Sequence, residues 1–258
     1  MTISRVKTII FVAFILFVAG VTFVYANHSW GNYHWARQAN SFTLKLGDNV
    51  SSVWDAYLGQ ASLNLSVSTE LDTVIVSGST NPKNCRAMNG RVEVCSSKYG
   101  FNGWLGIASI WISDSHITKS TVKVNDSYFN TSTYNTPAWR RFVMCQEIGH
   151  TFGLDHQDVD FSNPNLGTCM DYTSNPSGPP SNEHPDAHDY EQLEAIYTHL
   201  DSTTTVSQTT SRGFRNNSEA SASEWGKGIQ KDSKGKTSLY VRDLGNDEKV
   251  FTFVFWAN

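Results

Sequence analysis

The sequence predicts an α+β domain, and three observations predict it. Segments alternating apolar and polar residues stand beside segments of helical spacing. Their order is strand, helix, three strands, helix, loop, helix, which is not a run of repeated strand–helix units. Glycine, serine, threonine and asparagine are abundant while charged residues make up only 17%, which favours a loop-rich fold over a helical bundle. The 258 residues suit one domain with appendages and a real core. A net charge of -4 gives no electrostatic footprint for nucleic acid.

"SFTLKLGDNV" alternates as a strand that ends in a Gly-Asp turn. "VSSVWDAYLGQASLNL" places Val50, Val53, Trp54, Tyr57 and Leu58 at helical spacing. "DTVIVSG" reads as a short buried strand bounded by Gly78, and "GWLGIASIWI" and "TVKVND" as two further strands. "TPAWRRFVMCQEIGHTFG" is a helix: Thr136 is a natural N-cap, Pro137 sits where the first turn tolerates it, and Gly153 ends the run. "SNPSGPPSNEHP" is a rigid loop and "DAHDYEQLEAIYTHL" a second amphipathic helix.

The ends differ in composition from this domain, taken as residues 41–200. Residues 1–26 carry Arg5 and Lys7 before an apolar run that closes on Val24-Tyr25-Ala26, the pattern of a signal peptide cut after Ala26; the other reading is an uncleaved anchor. Residues 27–40 form an aromatic and polar arm. Residues 201–223 are polar and poor in apolar side chains, the composition of a flexible linker. In 224–258 the apolar runs "TSLYVRDL" and "KVFTFVFW" flank "GNDE", a β-hairpin signal; such a hairpin needs a surface to pack on.

Export makes disulfides the expected state of the four cysteines. Of the three pairings, Cys85–Cys95, closing a short loop, and Cys145–Cys169 are favoured. A cysteine-based zinc site is disfavoured, since no CxxC pair occurs.

The chemistry lies in "CQEIGHTFGLDHQD", Cys145–Asp158. In a helix Gln146 and His150, four residues apart, project from one face, and Glu147 lies beside them. Gly153 lets the chain leave sharply, so that His156 can return toward the same point. Two imidazoles, a third donor and an open position are what catalytic zinc requires. The glutamate would take a proton from the water that attacks a carbonyl, while zinc polarises that carbonyl.

This stretch resembles the metzincin clan of zinc endopeptidases (matrixins, astacins, serralysins), with QExxHxxGxxH in place of HExxHxxGxxH. "GTCMDYTSNP" resembles the Met-turn of that clan, which implies Met170 as an apolar floor under the metal and Tyr172 as the tyrosine astacins and serralysins place near zinc. "GWLGIAS", with Leu105, Gly106 and Ala108, resembles the edge strand along which the clan lays an extended substrate. The resemblance implies a twisted mixed sheet, an active-site helix, the Met-turn and a C-terminal helix, covering about Leu105 to Leu200, with the hairpin as an extension.

Glutamine offers zinc an amide oxygen, a weaker donor than imidazole. Gln146 therefore stands as a metal ligand beside His150 and His156, with Asp158 and Tyr172 as the other sources of a third donor. The reading is a secreted, monomeric, one-zinc endopeptidase acting on extended polypeptides, with Glu147 as general base and Tyr172 catalytic. It meets no nucleic acid, and meets a membrane only if residues 1–26 stay uncut. The alternative is an exported binding or structural module that keeps a metal site without turnover.

Overall fold

The computed structural model describes residues 28–209 and 224–257, so the targeting segment and most of the linker lie outside the described residues. In chain order the first elements are β1 (His34–Trp35), β2 (Phe42–Asn49), α1 (Asp55–Leu65), β3 (Leu71–Ser77), β4 (Arg91–Ser97), β5 (Trp104–Ser113) and β6 (His116–Asn125). There follow α2 (Asp126–Phe129), α3 (Pro137–His150), α4 (Ala187–Ile196), β7 (Lys227–Lys231), β8 (Thr237–Gly245) and β9 (Glu248–Trp256). The chain is thus α+β, with few helices on one mixed sheet.

The sheet runs β3-β2-β4-β6-β5-β9-β8-β7, with β1 on the first residues of β6. Pairings among β3, β2, β4 and β6 are parallel. Those from β6 through β5, β9 and β8 to β7 are antiparallel. The helix α3 packs against α1 and against β5, β6 and β9. Its start follows its sequence: Thr136 Oγ1 accepts from Trp139 N–H at 3.3 Å and Pro137 opens the first turn. Phe142 through His150 are buried without interruption, as a helix enclosed on all sides requires. At its far end the orphan carbonyls are met by the arm: Trp30 Nε1 donates to His150 O (3.1 Å) and Trp35 Nε1 to Thr151 O (2.8 Å). Both indoles are buried, so the arm is anchored in the core through Trp30 and Trp35.

Four sequence expectations change. First, β5 is not an edge: Leu105, Gly106 and Ala108 lie on a strand with β6 on one side and β9 on the other. Second, β9 is an interior strand. Its alternate residues Phe251, Phe253 and Phe255 join the main core under α3, while Val254 and Trp256 pack with Trp104, Ile107 and Trp225 on the opposite face. Both faces are dry, which is why "VFTFVFW" is nearly continuously apolar. Third, β3 is a sheet edge and leaves Val74 and Ile75 exposed. Fourth, residues 201–209 are bonded to their neighbours: Thr205 N–H donates to Ala36 O (3.0 Å) and Ser207 N–H to Gly90 O (2.9 Å).

The strand β4 was not among the strands expected from the sequence. It is central: Val92 and Val94 enter the core, and buried Glu93 pairs with Arg91 at 2.8 Å and accepts from Asn49 Nδ2 at 2.6 Å. Cys85 is bonded to Cys95 and Cys145 to Cys169. Among the described residues no helix is long and apolar enough to cross a membrane.

Candidate metal centre

Gln146, Glu147 and His150 sit on the last turns of α3, all buried. Gly153 adopts φ +100°, where an added Cβ would stand 2.8 Å from Tyr33 O, and the chain turns back there. His156 thereby reaches His150, Nε2 to Nε2, at 3.0 Å. The His150 Nδ1 lies 2.8 Å from Leu154 O. A carbonyl only accepts, so the ring proton sits on Nδ1 and Nε2 presents a lone pair to His156. Two ligands each 2.0–2.1 Å from a tetrahedral zinc stand roughly 3.3 Å apart, close to the spacing seen here. Burial, and the facing His156, hold the His150 imidazole well below its ordinary range, so it is neutral as a ligand must be.

Gln146 divides its amide. Nε2 donates to Cys169 O at 3.0 Å, while Oε1 is fully buried with no hydrogen-bond partner among the described residues. Among the described residues neither oxygen of Glu147 has a hydrogen-bond partner, and burial drives its carboxyl well above the usual range. It lies against β5 at Gly106, where an added Cβ would stand 2.5 Å from Oε1, so this glycine makes room for the carboxyl. The His156 ring is 4.4 Å from that of Tyr172. Burial first, then the Glu147 charge, pushes the Tyr172 phenol far above its ordinary range. Unmet polar atoms at such depth fit a bound cation, since each would otherwise lose its hydrogen bonds on burial.

Asp158 is occupied elsewhere: its two oxygens accept from Asp160 N–H and, at 2.8 Å, from Asn163 Nδ2. It turns away from the role of third donor. Met170 passes under α3 at Gly149, where an added Cβ would meet Sδ at 2.8 Å. The turn is held by Thr168 Oγ1, which donates to Asp189 Oδ2 and accepts from Met170 N–H at 2.9 Å. Asp189 also meets His28 Nε2 and Gln157 Nε2, at 3.0 and 3.1 Å.

The group is closed to solvent. Gln146 and Glu147 are 0% exposed, His150 1% and Tyr172 1%. The cover is β9: Phe253 stacks on His150 with centroids 4.0 Å apart, and Phe255 stands edge-on to Tyr172 at 5.1 Å. The register sets Phe255 opposite Gly106 and Phe253 opposite Ala108.

A second gathering was not singled out from sequence. His34, His199 and Asp201 bring ligand atoms within 4.8 Å of one another. His199 and Asp201 are neighbours after α4, but His34 comes from the distant arm, so no local spacing announces the group.

No family model matches the chain, and no curated protein matches it. Among solved structures it is similar to high choriolytic enzyme 1, a hatching enzyme zinc-protease from the medaka fish Oryzias latipes, at 11% identity over 66% of this chain and 96% of that one, with a TM-score of 0.34. A likeness at that score carries no weight for function, and the functional reading rests on the residues of the centre.

Proposed function

We propose that this chain is a secreted zinc-dependent endopeptidase whose catalytic centre is covered by its own C-terminal strand. The observation that carries the reading is the His150–His156 pair: two Nε2 atoms 3.0 Å apart, that of His150 presenting a lone pair, beside a buried carboxyl without a hydrogen-bond partner among the described residues. His150, His156 and Gln146 Oε1 would hold the ion, and Met170 would floor the centre as a Met-turn. Zinc, when bound, supplies Lewis acidity toward a water and a peptide carbonyl. Glu147, its carboxylate favoured once a cation is near, takes the proton of the attacking water and returns it to the departing amine. Tyr172 donates its phenol to the oxygen on which charge develops.

An extended substrate would lie along β5, and β9 already lies there, antiparallel, with its phenylalanines over the histidines. Turnover in this reading requires β9 to leave. The same cover favours a second reading, a module that holds the ion without turnover.

The two readings separate in one experiment. Zinc content and peptide hydrolysis are measured for wild type, for Phe253→Ser/Phe255→Ser, which loosens β9, and for that variant with Glu147→Gln. Hydrolysis that appears on loosening and vanishes with Glu147→Gln, zinc being retained, supports the peptidase. Zinc bound in all three without hydrolysis, and an ion lost on His150→Ala/His156→Ala, selects the module.

A further inference from the structure

We propose that His34, His199 and Asp201, with His116 beside the carboxylate, form a second metal site, structural in role, for a divalent ion of zinc type. It shares no residue with the centre on α3 and stands whether or not that centre is catalytic.

The site is assembled around one oxygen. Asp201 Oδ2 accepts from Arg37 N–H at 3.0 Å, which fixes the carboxylate. The other oxygen, Oδ1, faces three imidazole Nε2 atoms: His116 at 3.1 Å, His34 at 3.3 Å and His199 at 3.6 Å. The ligand atoms of His34, His199 and Asp201 all lie within 4.8 Å of one another, against roughly 3.3 Å between donors around a tetrahedral zinc. The His34 ring meets the other two near perpendicular, at 86° to His116 and 79° to His199, so neither stacks on it.

His34 Nδ1 lies 2.8 Å from Asn32 O, an atom that only accepts, so Nδ1 carries a proton and Nε2 is the atom turned toward Asp201. His34 is only 3% exposed, so its Nε2 is offered to the cluster and not to bulk water. A divalent ion at Nε2 would take the place of a proton linking the ring to the carboxylate. Of the three rings, His34 and His116 stand within hydrogen-bond distance of Oδ1, and His199 at 3.6 Å lies just beyond it. The bond from Nδ1 to a backbone carbonyl is the support that metal-bound histidines usually have.

The donor set selects the ion. Imidazoles with one carboxylate suit zinc and its neighbours in the first transition row, not calcium or magnesium, which prefer all-oxygen shells. Access is provided, because the His199 side chain is 59% exposed and the His116 side chain 29%.

The ligands join three parts of the fold. His34 lies on β1, His116 begins β6 in direct register with it, and His199 and Asp201 follow α4. An ion here pins β1, whose Trp35 bonds the carbonyl of Thr151 just beyond α3. The site therefore fixes the N-terminal arm that closes the end of the helix bearing Gln146 and His150.

The test counts zinc on the full chain equilibrated at micromolar free zinc. Wild type is expected to hold two ions, His116→Ala/His199→Ala one, and His150→Ala/His156→Ala one. The first pair is partly exposed, and circular dichroism verifies that it folds. Zinc should raise the Tm of His150→Ala/His156→Ala, and this rise should disappear when His116 and His199 are also replaced. If wild type holds a single ion, its loss in His116→Ala/His199→Ala still upholds the proposal and counts against the α3 centre. An unchanged zinc count in that variant, or occupancy only at millimolar zinc, overturns it.

Discussion

The ring of Phe253 lies flat on the imidazole of His150, 4.0 Å between centroids and 11° from parallel. A residue near the end of the chain thus covers the face of a candidate ligand near its middle, and the contact is held by a strand register, Phe253 opposite Ala108. Phe253→Ala should have two effects. Truncating a phenylalanine that is 1% exposed should cost about 3–5 kcal/mol in denaturant unfolding. It should also open His150 to solvent. In zinc-free protein, diethyl pyrocarbonate followed by peptide mass mapping should label His199 but not His150 in wild type, and both in the variant. Labelling of His150 in folded wild type would show that β9 does not cover it.

The bond between Cys145 and Cys169 meets a second link at the same place, since Gln146 donates to the carbonyl of Cys169. The bridge closes a sequence separation of 24 and the Cys85–Cys95 bridge one of 10. On the chain-entropy estimate these contribute about 3.5 and about 2.8 kcal/mol, a small difference in stability. The difference in metal retention should be large. Cys145→Ala/Cys169→Ala frees the Met170 turn from α3 and should weaken zinc binding at the α3 centre, while Cys85→Ala/Cys95→Ala should leave it unchanged. Equal zinc affinity in the two variants would remove the positional role of the bridge.

The legible parts of this fold were those with local causes. The limits of α3 followed from Thr136, Pro137 and Gly153, and the convergence of His150 with His156 followed from helix periodicity and one glycine. The illegible parts had causes far away in sequence. β4 hides because buried Glu93 alternates with its valines, and what makes that carboxylate tolerable is Arg91 with the distant Asn49. β5 looked like an edge because nothing near it in sequence names its second neighbour, which arrives from residues 248–256. A signal was present in β9 itself: an apolar run on both faces argues for an interior strand, and reading it as a hairpin on a surface missed this. The cluster around Asp201 left no local trace, because its histidines come from an arm, a strand start and a helix end.

Lys119 on β6 gives a pH signature independent of any metal. Its side chain is buried, and burial lowers its pKa from 10.5 to about 8, against a smaller opposing pull from Glu248. Below about pH 8 the folded chain must bury the charged ammonium, which opposes folding. Between about pH 8 and 10.5 the unfolded chain holds more protons at this position than the folded one, so this group's contribution to stability rises with pH. Lys119→Met removes the effect. The variant should be more stable than wild type at pH 7, and the gap should narrow by pH 10, as read from denaturant midpoints. A constant gap would mean that Lys119 keeps its proton throughout.

Gln146 and His150 divide their two polar atoms in the same way. His150 gives Nδ1 to the carbonyl of Leu154 and leaves Nε2 for an ion; Gln146 gives Nε2 to the carbonyl of Cys169 and leaves Oε1 without a partner. One side of each side chain is thus anchored to backbone, and the other is free to ligate. A histidine at 146 is expected to keep this division, with a ring nitrogen at each end, and to replace a neutral oxygen by a stronger donor. Gln146→His should therefore tighten zinc, and Gln146→Leu, which offers no donor, should weaken it, each by about tenfold or more. Competition with a chromophoric chelator measures both, on a background of His116→Ala/His199→Ala so that only the α3 centre is read. Activity has no fixed direction in Gln146→His, because the stronger donor also lowers the Lewis acidity of the ion. Unchanged affinity in both variants would take Gln146 out of the ligand set. Since Asp158 is committed to its own turn, Tyr172 would then be the remaining third donor, and Tyr172→Phe the variant in which zinc is lost.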